Sequence, residues 1–234
     1  MSSASAAAAA ARGFPAPIVV LPPEGGAASA VCIFLHGLGD TGHGWADVAS
    51  QMPIAGVQWV FPTARTIPVT LNGGAKMTGW YDINDLDIDG IVDDRVQTLA
   101  SADYIAALVD AAVADGVPAH KVLIGGFSQG GVVALTAALR SDKNLAGCAG
   151  LSTYLALRDD YPAALGPHAA ALPVFLAHGT ADAVLKYEYG TLTAAKLGEM
   201  GIAVDFKTYP GMAHSACPEE LRHLSAFISA QVGL

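Results

Sequence analysis

At 234 residues the chain is long enough for one domain with a sizeable core, and nothing in its length calls for a second. Twenty-one acidic against 12 basic residues give a formal charge of −9, which excludes nucleic acid as a main partner and offers an anionic membrane no general attraction. The apolar fraction of 53% comes mostly from Ala and Val, and no uninterrupted apolar run reaches the about 20 residues of a bilayer-crossing helix, so the chain reads as a soluble α/β protein.

Residues 1–16 open with Ala and Ser around a single charge, Arg12, and are expected to form a disordered tail ahead of one domain over residues 17–234. The tail lacks the basic start of a secretory signal and the arginines of a transit peptide. With Ser2 in place of a second-position Gly, and no cysteine before Cys32, N-terminal lipidation is not expected. Cys32, Cys148 and Cys217 stand far apart with no C-x-x-C pair, which fits a reducing, cytoplasmic setting. Cys32 and Cys148, inside apolar runs, read as small core residues.

Ile18 to Leu21 reads as a short strand stopped by Pro22-Pro23, and Val31 to Leu35 as a strand buried on both faces that ends at His36-Gly37. Trp45 to Met52 suits a short helix, and Val57 to Phe61 a strand ended by Pro62. From Thr63 to Asp94 no period holds, and a connection of that length in a compact domain usually carries function. Arg95 to Ala114 has Val96, Leu99, Ile105, Leu108 and Val109 at helical spacing and is ended by Gly116 and Pro118. Strands are then expected over 121–125, 146–151, 174–178 and 204–209, and helices over 131–140, 187–200 and 219–232. Short apolar strands alternating with helices imply a mainly parallel sheet covered on both faces, with chemistry at the carboxyl ends of the strands.

Gly126-Phe127-Ser128-Gln129-Gly130 matches G-x-S-x-G between a predicted strand and a predicted helix, the turn on which a serine hydroxyl stands exposed as a nucleophile. A serine needs a base held by a third group, and in this fold the chain order is Ser, acid, His. Asp182, in the turn after the strand ending at His178, is favoured as the acid over Asp159, Asp160 and Asp205. His214, just after the last strand, is favoured as the base over His168, His178 and His223. A tetrahedral oxyanion requires backbone N–H donors; one is expected from Gln129 and the other from the His36 to Asp40 loop, whose glycines would also suit an ordinary turn. No phosphate-binding or dinucleotide loop is present, and no cofactor is expected. Asp85-Leu86-Asp87-Ile88-Asp89-Gly90 reproduces the start of a calcium loop with Asp93 in ninth place, but the twelfth place holds Val96, so no metal is expected.

Five separated motifs, in order, resemble the acyl-protein thioesterase, or carboxylesterase and lysophospholipase, family. They are Phe34-Leu35-His36-Gly37-Leu38-Gly39-Asp40-Thr41-Gly42, Gly79-Trp80-Tyr81-Asp82-Ile83, Gly125 to Gly131, His178-Gly179-Thr180-Ala181-Asp182 and Gly211-Met212-Ala213-His214. The resemblance runs from about Pro17 to the end and implies an α/β-hydrolase fold with Ser128, Asp182 and His214 as the catalytic triad. It also implies Leu38 and Gln129 as oxyanion-hole amides, and an acyl channel that takes in Leu71, Met77, Trp80 and Tyr154. Two departures border that channel: Asp93-Asp94-Arg95-Val96 stands where members often carry a Glu-Asp pair followed by Gly-Ile, and Tyr154 where many carry Trp. The implied substrates are an acylated small molecule, a lipid or an acylated protein, met by a monomer or weak homodimer with room for transient membrane-surface contact through the fold. A small-ester carboxylesterase and a catalytically silent receptor of the same fold are the alternatives.

Overall fold

The computed structural model describes residues 3–87 and 90–234. Among the described residues, nine strands and six α-helices follow in the order α1 (Ser3–Ala10), β1 (Ile18–Val20), β2 (Ala30–Leu35), α2 (Gly42–Ala49), β3 (Val57–Phe61), β4 (Thr66–Val69), β5 (Ala75–Thr78), α3 (Arg95–Ala114), β6 (Val122–Phe127), α4 (Gln129–Leu139), β7 (Gly147–Leu151), β8 (Val174–Gly179), α5 (Tyr187–Glu199), β9 (Val204–Tyr209) and α6 (Pro218–Val232). Seven strands form one sheet in the order β1-β3-β2-β6-β7-β8-β9, all parallel except β1, which runs antiparallel to β3.

Strand alternation splits the core in two. In β2, Val31, Ile33 and Leu35 pack into one cluster with residues of α1, α3, α4 and α5, while Ala30, Cys32 and Phe34 pack into a second with residues of α2 and α6. A strand buried on both faces has no polar positions to alternate with, which is why these strands read as continuous apolar runs. Cys32 and Cys148 lie in this interior, where burial pushes both thiols up, Cys148 to about 12.

The helix α3 begins where Asp94 accepts the Gln97 amide at 3.0 Å, an N-cap that gives the Asp93-Asp94 pair a structural use. Asp93 accepts the Leu157 amide at 2.7 Å and so ties the helix entry to the loop after β7. By length and mean hydropathy α3 would cross a bilayer, but it carries Asp103 and Asp110, and half of its residues are buried against the rest of the fold. In the aspartate-rich loop ahead of it, Asp89 falls outside the described residues, and Asp87 pairs with Lys186 at 3.1 Å.

Two regions depart from the sequence reading. The Ala/Ser run is not a disordered tail: Ser3–Ala10 is helical, with Ala9 buried in the α3 side of the core. Alanine has the highest helix propensity, and its small side chain lets the two helices approach closely. Phe14, also assigned to that tail, is buried and stacks on Tyr104 with ring centroids 4.1 Å apart, under the Arg65 guanidinium. Phe14→Ala is therefore expected to cost about 3–5 kcal/mol, a Tm drop on the order of 10 °C for a domain of this size. Thermal unfolding of the variant with an unchanged midpoint would show that this segment is not anchored to the core. The second departure lies in the stretch from Thr63, where β4 and β5 form a separate two-stranded ribbon. Its period-2 signal is only four residues long and is interrupted by Pro68, too short to stand out in sequence.

Candidate active site

Ser128 sits between β6 and α4 with φ +54° and ψ −123°, a left-handed conformation that a non-glycine residue adopts only where its surroundings enforce it. The enforcing contact is glycine against glycine: a Cβ on Gly126 would strike the Gly130 backbone, and one on Gly130 would come within 2.5 Å of the His36 carbonyl oxygen. The two glycines of G-x-S-x-G thus let strand, helix and the His36 loop converge beneath the serine.

The loops after β8 and β9 are fastened to each other by Thr180 N–H to the Tyr209 carbonyl at 3.0 Å, Ala181 N–H to the Met212 carbonyl at 3.0 Å and Gly211 N–H to Thr180 Oγ1 at 2.9 Å. Gly179 has no room for a Cβ against the Met212 carbonyl. This juncture delivers Asp182 and His214 to the serine. His214 Nε2 is 2.9 Å from Ser128 Oγ, and His214 Nδ1 is 2.7 Å from Asp182 Oδ2. The Phe127 ring, 4.8 Å from the imidazole centroid, packs against the imidazole.

Asp182 is buried, and burial alone would raise its pKa, yet hydrogen bonds from His178 and His214 and the Leu185 amide hold its carboxyl well below the usual carboxylate range. Its Oδ1 accepts the Val184 and Leu185 amides at 2.9 and 2.8 Å, which leaves Oδ2 for the imidazole. His178 stands on the other side of the same oxygen: its Nε2 lies 2.8 Å from the Leu185 carbonyl and 3.3 Å from Asp182 Oδ2. Both neighbours are acceptors, so Nε2 carries the proton. Chain order sets His178 aside as a base, and it stands instead as a second donor to the triad carboxylate. Of the remaining alternatives, Asp160 pairs with Arg95 and Arg140, Asp205 with Lys207, and His223 with the Tyr209 hydroxyl.

Leu38 and Gln129 lie beside the serine and line the same cavity. Gln129 is the first residue of α4, so its N–H has no acceptor within the helix, and among the described residues the Leu38 N–H donates no backbone hydrogen bond. The loop carrying Leu38 is held by His36, whose Nε2 accepts the Ala64 amide at 3.0 Å and whose Nδ1 therefore donates to the Gly37 carbonyl at 2.6 Å. Burial lowers the His36 pKa against the opposing pull of the Gly37 carbonyl and Asp40, which keeps this tautomer neutral. The Gln129 side chain bridges Trp80 N–H and the Tyr81 carbonyl at 2.9 and 2.7 Å.

A cavity of about 250 Å³ opens over Ser128, its apolar wall made by Leu38, Leu71, Ile83, Leu86, Val184 and Leu185. Leu71 and Tyr154 line it; Met77 and Trp80 do not. Trp80 is 1% exposed and points into the core, its indole N–H donating to the His36 carbonyl at 2.8 Å, so it braces the loop from behind. Met77 lies on β5, where its sulfur accepts from the Asn72 amide at 3.2 Å. Sequence reasoning missed Tyr81, Ile83, Leu86, Val184 and Leu185, which reach the cavity from loops without a period to follow.

The family profile described as Phospholipase/Carboxylesterase matches residues 17–232. An acyl-protein thioesterase 1 from Neurospora crassa is 43% identical over 217 residues, 87% of each chain. Another from Mycosarcoma maydis is 43% identical over 227 residues, covering 90% of this chain and 95% of that one. Among solved structures, Zea mays acyl-protein thioesterase 2 superposes with a TM-score of 0.84 at 33% identity, over 93% of this chain and 99% of the other. Arabidopsis thaliana SOBER1 does so with a TM-score of 0.83 at 31% identity, over 87% and 99%. With an α/β-hydrolase sheet, a serine on its central turn and a match over nearly the whole chain, the protein belongs to the phospholipase/carboxylesterase family.

Proposed function

We propose that the protein is a serine hydrolase that cleaves acyl thioesters and esters through an acyl-enzyme, acting on acylated proteins as an acyl-protein thioesterase. The observation that carries this reading is the unbroken hydrogen-bond chain from Ser128 through His214 to Asp182, opening on an apolar cavity. The names of the relatives support the substrate class.

In this mechanism Ser128 Oγ attacks the acyl carbonyl carbon while His214 Nε2 takes the hydroxyl proton. The carbonyl oxygen becomes an oxyanion facing the amides of Leu38 and Gln129, and the imidazolium is stabilised by the Asp182 carboxylate. Collapse breaks the bond to sulfur or oxygen, His214 returns the proton to the leaving group, and water repeats the sequence on the acyl-serine. No step calls for a metal or cofactor. A cytoplasmic setting suits the three free thiols.

If the acyl chain fills the cavity, each methylene it buries contributes up to about 0.8 kcal/mol, and kcat/KM should climb several-fold with chain length until the space is full. A matched series of acyl esters and thioesters, from acetyl to palmitoyl and then on a palmitoylated peptide, tests this. A monotonic fall from acetyl upward would instead assign a small-ester carboxylesterase, a reading to which the modest cavity volume lends weight.

A further inference from the structure

Besides Ser128 and His214, the polar side chains that line the cavity are Asn72, Gln129 and a pair of tyrosines. Tyr81 and Tyr154, each 2% exposed and both lining the cavity, bring their hydroxyls to 3.0 Å. Two phenols carry two protons, and a hydrogen bond between them uses one. Among the described residues neither hydroxyl has a further hydrogen-bond partner, so one O–H remains without an acceptor. Asp93 and Arg158 face the pair from the entry of α3 and the loop after β7, close enough to act on it through charge, but Asp93 accepts the Leu157 amide instead. Burial raises both phenols above their ordinary pKa, Tyr154 to about 12, so they remain protonated donors. A buried hydroxyl without an acceptor is tolerated where a ligand or water supplies one.

We infer that Tyr81 and Tyr154 form a polar subsite in the acyl cavity, fitted to an acyl chain that carries a neutral oxygen acceptor such as an oxo, hydroxyl or ether group. The inference rests on the acyl-hydrolase reading and narrows its substrate class. Asp93 acts on both phenols and Arg158 on Tyr154 alone, so an anionic group is disfavoured beside the pair, whereas an uncharged oxygen can accept a hydrogen bond from the spare proton. A plain hydrocarbon chain leaves that proton unpaired, so the two chains are told apart by a hydrogen bond that only one of them can make.

The test uses medium-chain acyl thioesters of one length, plain or with a single oxo group placed at successive carbons. At one position kcat/KM should exceed that of the plain chain several-fold to about tenfold, the range of one net hydrogen bond. Reading the ratio cancels any general change in rate. In the double variant Tyr81→Phe with Tyr154→Phe the ratio should fall to about one. Each single variant should keep a preference, because the remaining phenol loses its partner and still has a proton to give. A loss of kcat/KM at every oxo position in the native protein overturns the subsite, as does a ratio unchanged in the double variant. The position scan needs no variant and decides the matter even if the double variant fails to fold. Absence of turnover on every chain, plain chains included, would instead overturn the hydrolase reading and the subsite with it.

Discussion

Ser128→Ala should lower kcat on an activated ester by on the order of 10⁶ and leave the folded protein nearly unchanged. The side chain is partly exposed, and its loss opens no core cavity. Alanine keeps the Cβ, so the left-handed conformation at this position is no more strained than before. The Thr153 hydroxyl, which donates to the Ser128 carbonyl at 2.8 Å, and the Gly126 to Gly130 contact still enforce the turn. What disappears is the oxygen 2.9 Å from His214 Nε2, and with it the covalent step. A residual rate above that of water should persist, because the Leu38 and Gln129 amides and the cavity are intact and can still position an attacking water. Two measurements check this: steady-state hydrolysis, and labelling by a fluorophosphonate probe, which should vanish in the variant. Retention of even a tenth of the native activity would remove Ser128 from the nucleophile's place. A native protein that folds but takes no label would favour a silent receptor.

Most of this architecture was legible because buried parallel strands announce themselves as apolar runs with Gly or Pro at their ends. Val204–Tyr209 and Arg95–Ala114 fall where the sequence puts them, and Ser128, Asp182 and His214 follow from the order of their motifs. The misreadings have a common cause, which is that sequence periodicity reports burial on a regular element and little else. The segment Ser3–Ala10 consists only of Ala and Ser, so it has no apolar stripe to mark it as a packed helix. The resemblance places Trp80 in the channel, but a large apolar residue in a loop has two destinations, and the indole N–H takes this one toward the core to reach the His36 carbonyl. Met77 stands on a ribbon too short to reveal which way its side chains point. His178 was read only as a candidate base, since the order of a triad has no fourth place. Its contact with Asp182 becomes evident only when the turn after β8 is seen to fold the carboxylate back over the strand end.

Asp182→Asn should cost about 10⁴ in kcat, and the reason lies in which atoms remain donors. The Val184 and Leu185 amides require an acceptor at the position of Oδ1, so the asparagine carbonyl oxygen settles there and its NH₂ takes the place of Oδ2. That NH₂ then faces His214 Nδ1, now 2.7 Å from an acceptor. Two donors cannot share that distance, and His214 must move its proton to Nε2, the atom that has to accept the Ser128 proton. His178 keeps the Leu185 carbonyl as its acceptor, so the turn retains a partner and the fold should survive. Stability should respond to pH in a defined direction. The Asp182 carboxyl titrates below its unfolded value of about 3.9, so the charged form stabilises the native protein above that pH and the contribution fades as pH falls through the depressed folded value. The asparagine variant lacks that term, so the gap in Tm between the two proteins should be widest above about pH 5 and should narrow in acid. Kinetics at saturating ester, with thermal unfolding across the acid range, check both claims. A fall of less than tenfold in kcat would show that Asp182 does not set the imidazole tautomer. A Tm gap that widens as the pH drops would reverse the assigned sign of its pKa shift.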